Sequence, residues 1–154
     1  MSQLNVDLVK KFIPPPGTDY RVLVVDDDVY AAAKDALEPL VAPDFEGAFI
    51  TWGQRQTEFT GLDGLREAWL DWIAPWATYY DEIEEVFAVG DDRVVVLGRE
   101  HGHRLDTGAE VVAEGAGVYT VRDGKIARVE YYARRAEALE AVGLAEEDAH
   151  TESS

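Results

Sequence analysis

Apolar residues recur at helical intervals in the first half of the chain and alternate with a period of two in the second half, with the change near Asp81. Leu4, Leu8, Val9 and Phe12 fall on one helical face behind a possible Ser2 cap, and Pro14-Pro15-Pro16-Gly17 stops that pattern. Residues 21–25 read locally as a strand. Asp26-Asp27-Asp28 follows at once and supplies the cap of a helix over 29–40. Ala42-Pro43-Asp44 ends that helix and introduces a strand over 45–52, with Phe45, Gly47 and Phe49 on one face. Gly61 leads into a further helix whose stripe is Leu62, Leu65, Trp69, Trp72 and Trp76, ended or kinked at Pro75. Four strands follow over 83–89, 93–105, 109–121 and 125–134, separated by turns at Gly90-Asp91-Asp92, Asp106-Thr107-Gly108 and Asp123-Gly124. A last helix begins near Arg134, carries Ala136, Leu139 and Val142, and meets Gly143 as its C′ residue.

Helices followed by an antiparallel meander predict an α+β domain with helices packed on one sheet face. Residues 1–144 read as a single domain: an N-terminal helix and Pro-rich loop over 1–27 and a core over 28–144. Residues 145–154 are acidic and polar and read as a disordered tail. On the hairpin at Asp123-Gly124, Gly115 and Gly117 alternate with Tyr119 on one face. Glycine weakens a strand unless something approaches its backbone, so the missing side chains predict a cavity.

The chain has 154 residues and 47% hydrophobic content, enough for one core. Its 31 acidic residues against 14 basic ones give a formal charge of −17, which argues against nucleic acid and anionic membrane surfaces as partners. Cysteine is absent, which excludes disulfides, thiolate metal sites and a Cys nucleophile. No apolar run approaches the ~20 residues of a membrane span, and Asp7, Lys10 and Lys11 interrupt any signal-like segment, so a cytoplasmic protein is expected. The three adjacent aspartates read as a cap with solvated charges, without the ligand spacing of a metal site.

An ordered set of short motifs adds a resemblance. It comprises Asp35-Ala36-Leu37 with Leu40, Pro43-Asp44-Phe45, Gly61-Leu62-Asp63-Gly64-Leu65, Gly90-Asp91 before Arg93-Val94-Val95-Val96, and Asp123-Gly124-Lys125-Ile126. It closes with Arg135-Ala136-Glu137-Ala138-Leu139-Glu140 and Gly143-Leu144. Over residues 28–144 the chain thereby resembles the nuclear transport factor two-like superfamily, and within it the SnoaL-like, polyketide cyclase-like branch. The resemblance implies a cone-shaped curved antiparallel sheet wrapped around N-terminal helices, with an apolar pocket for a small molecule. It implies cofactor-independent cyclase, isomerase or hydratase chemistry on a carbonyl or polyketide-like compound. A non-catalytic binding or dimeric interaction module is the alternative. Ketosteroid isomerases of this fold use one carboxylate as base and a second, kept protonated, as donor. The corresponding positions fall near Gly47 and Gly117, which have no acid to offer.

Hairpin register assigns the pocket lining. A bulged turn at Gly124 pairs Val121 with Lys125 and Gly117 with Val129, which turns Ala113, Gly115, Gly117, Tyr119, Val129 and Tyr131 inward. A turn centred on Thr107 adds Val95, Leu97, Arg99, His101 and His103 to that face. A slip of one residue on the last strand substitutes Glu130 and Tyr132. The expected pocket lining is then Phe45, Phe49, Trp69, Trp72, Trp76, Leu97, Gly115, Gly117, Tyr119 and Val129, and the expected catalytic groups are His101, Arg99 and Tyr131. His101 suits proton transfer near neutrality and Arg99 with a tyrosine suits a developing oxyanion. Each also has a bland reading: a solvated histidine at the sheet edge, and an arginine paired with an acid such as Glu85. No metal ligand set is evident. Val94, Val96, Val112, Ala116 and Val118 are expected to form an apolar patch on the convex face, the surface of a homodimer.

Overall fold

The computed structural model describes residues 2–144, so the expected tail over 145–154 lies outside the described residues. Helix α1 (Ser2–Phe12) buries Val6, Val9 and Phe12, while Leu4 faces solvent. Helix α2 (Tyr20–Val25) replaces the strand expected over 21–25. Asp19 caps it by accepting the Arg21 N–H at 3.0 Å, and Tyr20 and Val24, one turn apart, enter the core. Tertiary burial of that face outweighs the weak β preference of Val22 and Val25, which stay exposed. Helix α3 (Asp27–Leu37) begins at the expected cap: Asp26 accepts from the N–H groups of Asp28 and Val29. A 3-10 turn over Glu38–Leu40 then leads into the sheet.

Strand β1 (Val41–Thr51) pairs with β2 (Gln54–Thr60), an edge strand absent from the sequence reading because only Phe59 in it is buried. Helix α4 (Gly61–Ile73) buries Leu62, Leu65, Ala68, Trp69 and Ile73. It stops before Pro75, so Trp76 opens strand β3 (Trp76–Val89) and does not continue the helical stripe. Strands β4 (Arg93–Arg104), β5 (Glu110–Arg122) and β6 (Lys125–Tyr132) complete a six-stranded sheet of order β2-β1-β6-β5-β4-β3. Only the β1–β6 pairing among these is parallel. The result is the expected α+β cone: a curved, unclosed sheet with helices in its concavity.

The inner cluster joins α1, α2 and α4 to Phe45, Phe49, Val94, Val96, Tyr119 and Val129. Helix α5 (Arg135–Ala141) packs on the opposite face, where Ala138 and Leu139 meet Ala48, Ile50, Phe87, Val95, Leu97, Val118 and Tyr132. Two expectations are corrected here. Helices cover both faces of the sheet, and Val94 and Val96 belong to the concave interior, so the convex patch expected for a dimer is smaller and partly covered by α5. Burial of each large apolar side chain contributes roughly 1.5–3 kcal/mol, and both clusters add to stability.

Two hairpins decide the inner lining. In the β5–β6 turn Asp123 and Gly124 both take positive φ, 53° and 75°, the pair of angles a two-residue type I′ connection requires. Arg122 therefore faces Lys125, and a bulge at Thr120/Val121 places Gly117 opposite Tyr131. This differs from the expected pairing by two residues, an even number, so Gly117, Tyr119, Val129 and Tyr131 keep their inward face. The β4–β5 connection differs by one. Gly108 N–H bonds the Arg104 carbonyl at 2.9 Å, and the hairpin centres between Asp106 and Thr107, pairing Val96 with Gly117 and Glu100 with Ala113. An odd shift reverses every side chain on the strand.

Candidate functional site

The reversal on β4 turns Val94, Val96, Gly98 and Glu100 toward α1, α2 and α4, and Val95, Leu97, Arg99 and His101 to the opposite face. His101 stacks on Tyr80 with ring centroids 4.7 Å apart and bonds Glu82 at 2.9 Å on the outer face. The Arg99 side chain is 57% exposed and lies 3.4 Å from Glu84, so its charge is paired outside the cavity. Leu97 is buried under α5. The one-residue slip that would bring in Glu130 and Tyr132 does not occur on β6: Glu130 pairs with Arg55 and Arg128, and Tyr132 packs under α5.

A cavity of about 110 Å³ lies between the helices and the sheet. Its wall includes the expected Trp69, Gly115, Gly117, Tyr119 and Tyr131, together with Phe12, Tyr20, Leu62 and Leu65. Phe45, Phe49, Val129, Trp72 and Trp76 sit behind this wall in the inner core. The glycines serve close approach more than empty space. A Cβ on Gly115 would stand 3.0 Å from the Glu100 carboxyl carbon, and one on Gly117 would stand 3.1 Å from the Tyr119 ring. Gly98 similarly admits the backbone of Glu82, and Gly102 admits the ring of Trp76.

Two acids that the sequence reading missed define the polar end. Asp81 on β3 and Glu100 on β4 are directly opposed across the sheet and both line the cavity. Burial raises the Asp81 carboxyl to about 6, opposed by a hydrogen bond from Tyr20 and by the nearby His101. Burial and the negative charge of Asp81 raise Glu100 to about 8, opposed by a hydrogen bond from Tyr79. The pair therefore holds one proton near neutrality, with Asp81 ionised and Glu100 neutral. Asp81 Oδ1 has essentially no solvent-accessible surface and no hydrogen-bond partner. Among the described residues no lysine or arginine forms an ion pair with either acid: Arg66 is held by the Val24 carbonyl at 2.8 Å and by Asp27 at 2.7 Å.

The surrounding phenols are oriented. Trp72 Nε1 donates to the Tyr79 hydroxyl at 3.0 Å, which leaves the Tyr79 proton directed at Glu100. The Tyr131 hydroxyl meets the Tyr119 hydroxyl and the Trp69 indole N–H at the cavity wall. Burial raises Tyr20, Tyr79, Tyr119 and Tyr131 above the usual phenol range, which keeps them protonated as donors. Asp81 also borders an outer groove with Ile13, Pro14, Tyr20 and Ile83, so Asp81 stands between the inner cavity and that groove. A sequence signal for these acids existed: Asp81 and Glu100 alternate with Tyr79, Ile83, Val96 and Gly98, the inward positions once the register is known.

The chemistry available is proton transfer between a buried carboxylate and a bound molecule, with neutral O–H donors at hand for a developing oxyanion. Among the described residues no group of three metal-ligating side chains converges. Of the three adjacent aspartates, Asp26 caps α3 and Asp27 pairs with Arg66. No described helix is long and apolar enough to cross a membrane.

The model of the SnoaL-like domain family matches residues 19–129. Solved structures share the fold. A putative SnoaL-like polyketide cyclase from Jannaschia sp. CCS1 is 19% identical, with 84% of this chain and 85% of that chain covered at a TM-score of 0.61. TerC, co-crystallised with polyporic acid, is 19% identical, with 83% and 89% covered at 0.58. A phenazine biosynthesis-related protein from Pseudomonas aeruginosa is 21% identical, with 92% and 86% covered at 0.56. No curated protein matches the chain.

Proposed function

Since the chain belongs to the SnoaL-like domain family, we propose that it is a cofactor-independent enzyme of the cyclase, isomerase or hydratase type, moving protons on a small, largely apolar carbonyl compound. The observation that carries this reading is the opposed pair Asp81 and Glu100 at the cavity wall, with Asp81 Oδ1 lacking a partner. Asp81 takes a proton from the carbon next to the carbonyl. Glu100 and Tyr131 donate hydrogen bonds to the enolate oxygen that forms, and the enolate carbon then attacks internally or is reprotonated. A base near 6 and an acid near 8 are suited to this division of labour at neutral pH. The proposal extends to a homodimer formed through the outer face of β4 and β5, where Val112 is 48% exposed.

The test uses 2-indanone in D₂O, with deuterium incorporation beside the carbonyl followed by NMR. The wild-type protein is expected to accelerate exchange beyond an equal concentration of acetate. Asp81→Asn should lose ~10²–10⁴ of that acceleration, the usual contribution of a positioned base. Saturable binding of the ketone without accelerated exchange would overturn the catalytic reading and leave a binding module.

A further inference from the structure

The carboxyl pair has phenol donors around it, but among the described residues no lysine or arginine pairs with it, and the one positive influence on Asp81 is His101 across β4. A buried carboxylate is ordinarily accompanied by a lysine, arginine or metal, because removing its charge from water is costly without a countercharge. Here Arg66 on the wall is committed to Asp27, and the Arg99 side chain, on the outer face, to Glu84. The cavity beside the pair is aromatic. Tyr20 and Trp69 have ring centroids 4.5 Å apart, Trp69 and Tyr131 5.4 Å, and Tyr119 and Tyr131 6.4 Å, so ring faces and edges surround the space next to the acids. Aromatic faces carry negative quadrupole potential and attract cations, more so when both are desolvated. A carboxylate oxygen without a donor and a wall of electron-rich rings therefore lack the same thing.

We propose that this cavity is a site for a small protonated amine, whose N–H groups bond the Asp81 carboxylate while its hydrocarbon part lies among Tyr20, Trp69 and Tyr131. An ammonium supplies both the missing countercharge and the missing donor, which a neutral alcohol of the same shape supplies only in part. The site stands on the geometry of the pair and the rings, independently of whether the pair catalyses anything. Binding is linked to protons. The titratable side chains on the cavity wall are Asp81 and Glu100 from the sheet, Tyr20 from α2, Tyr30 from α3, and Tyr119 and Tyr131 from β5 and β6, with Tyr79 of β3 bonded to Glu100 behind the wall; His101 lies on the far side of β4, and Arg66 of α4 is bound to Asp27. Of these, the two acids change charge between pH 5 and 9, so the cation gains affinity as pH rises and each acid ionises.

Isothermal titration with cyclohexylammonium and with cyclohexanol, near-isosteric probes, tests this at 0.15 M salt. The amine is expected to bind once per chain, at least tenfold more tightly than the alcohol at pH 7.5. Its affinity should fall more than tenfold by pH 5, while that of the alcohol changes little. Proton release on binding, read from the buffer dependence of the heat, provides a measure on the wild-type protein that needs no variant. Asp81→Asn should abolish the preference for the amine, whereas Asp71→Asn on the solvent side of α4 should leave it, separating the site from general attraction to an acidic surface. Equal or tighter binding of the alcohol, affinity independent of pH, or an Asp81→Asn variant that retains the preference would overturn the proposal. Failure here leaves the ketone exchange reaction standing, and failure of that reaction leaves amine binding standing.

Discussion

Replacing Glu100 by glutamine removes an ionisation that the fold resists while keeping the shape of the side chain. The native carboxyl lies at about 8 where an ordinary glutamate lies at 4.5. At 1.36 kcal/mol per pH unit, a difference of that size corresponds to about 5 kcal/mol lost by the native state once pH exceeds both values. The direction follows from proton binding. Below pH 4.5 the group is protonated in native and unfolded chains alike and contributes nothing. As pH rises toward 8 the unfolded chain ionises first, so stability declines across that window and then levels off. The glutamine variant has no such decline. Its carbonyl oxygen still accepts from Tyr79, and its amide supplies a donor toward Asp81, whose Oδ1 is unpartnered. Structural relaxation and water entry reduce the effect, so a gain of about 2–5 kcal/mol over wild type at pH 8, shrinking to near zero at pH 4.5, is the expected outcome. Urea unfolding at half-unit pH intervals measures it, with thermal melting as a check at roughly 2–4 °C per kcal/mol for a chain of this size. A variant no more stable than wild type at pH 8, or one offset equally at every pH, would refute the buried-carboxyl argument. The same variant should lose ketone exchange, as expected where a strained site is retained for function.

His101→Ala and Arg99→Leu should leave deuterium exchange within about twofold of wild type, because both side chains lie on the outer face; a loss of ~10²-fold or more would show that the acid–base groups had been misassigned. Gly115→Ala places a methyl against the Glu100 carboxyl and should cost about 1–3 kcal/mol with reduced exchange, while the far-UV circular dichroism spectrum of the whole chain persists; unchanged kinetics would remove Glu100 from the site. Leu139→Ala should cost roughly 2–5 kcal/mol in urea unfolding if α5 is integral to the outer cluster, and a cost below ~1 kcal/mol would mean that it is not. Light scattering at micromolar concentration should give twice the chain mass if β4 and β5 form the homodimer face, and a monomer would exclude that arrangement.

Much of the chain's organisation was settled locally. Asp26 can cap only the helix that follows it, Pro75 must end α4, and Asp123-Gly124 must reverse the chain, so the order of helices and meander strands was legible from residue types alone. The inward face of β5 and β6 was legible too, because the error in the β5–β6 register was an even number and Tyr131, Tyr119 and the two glycines kept their side. Three features depended on partners distant in sequence. Tyr20–Val25 became helical because Tyr20 and Val24 found Trp69 and Tyr79. Gln54–Thr60 became a strand because β1 offered it a ladder, although its own side chains carry almost no apolar alternation. Glu100 took the interior from His101 because the β4–β5 hairpin centres half a residue before Thr107. A strand's local sequence specifies that its side chains alternate, but the choice of face belongs to the pairing, and on β4 that pairing brought an acid from each of two strands against the same cavity. Their raised affinities for protons are likewise a property of the assembled walls, since an isolated Asp or Glu in solution has water in place of those rings.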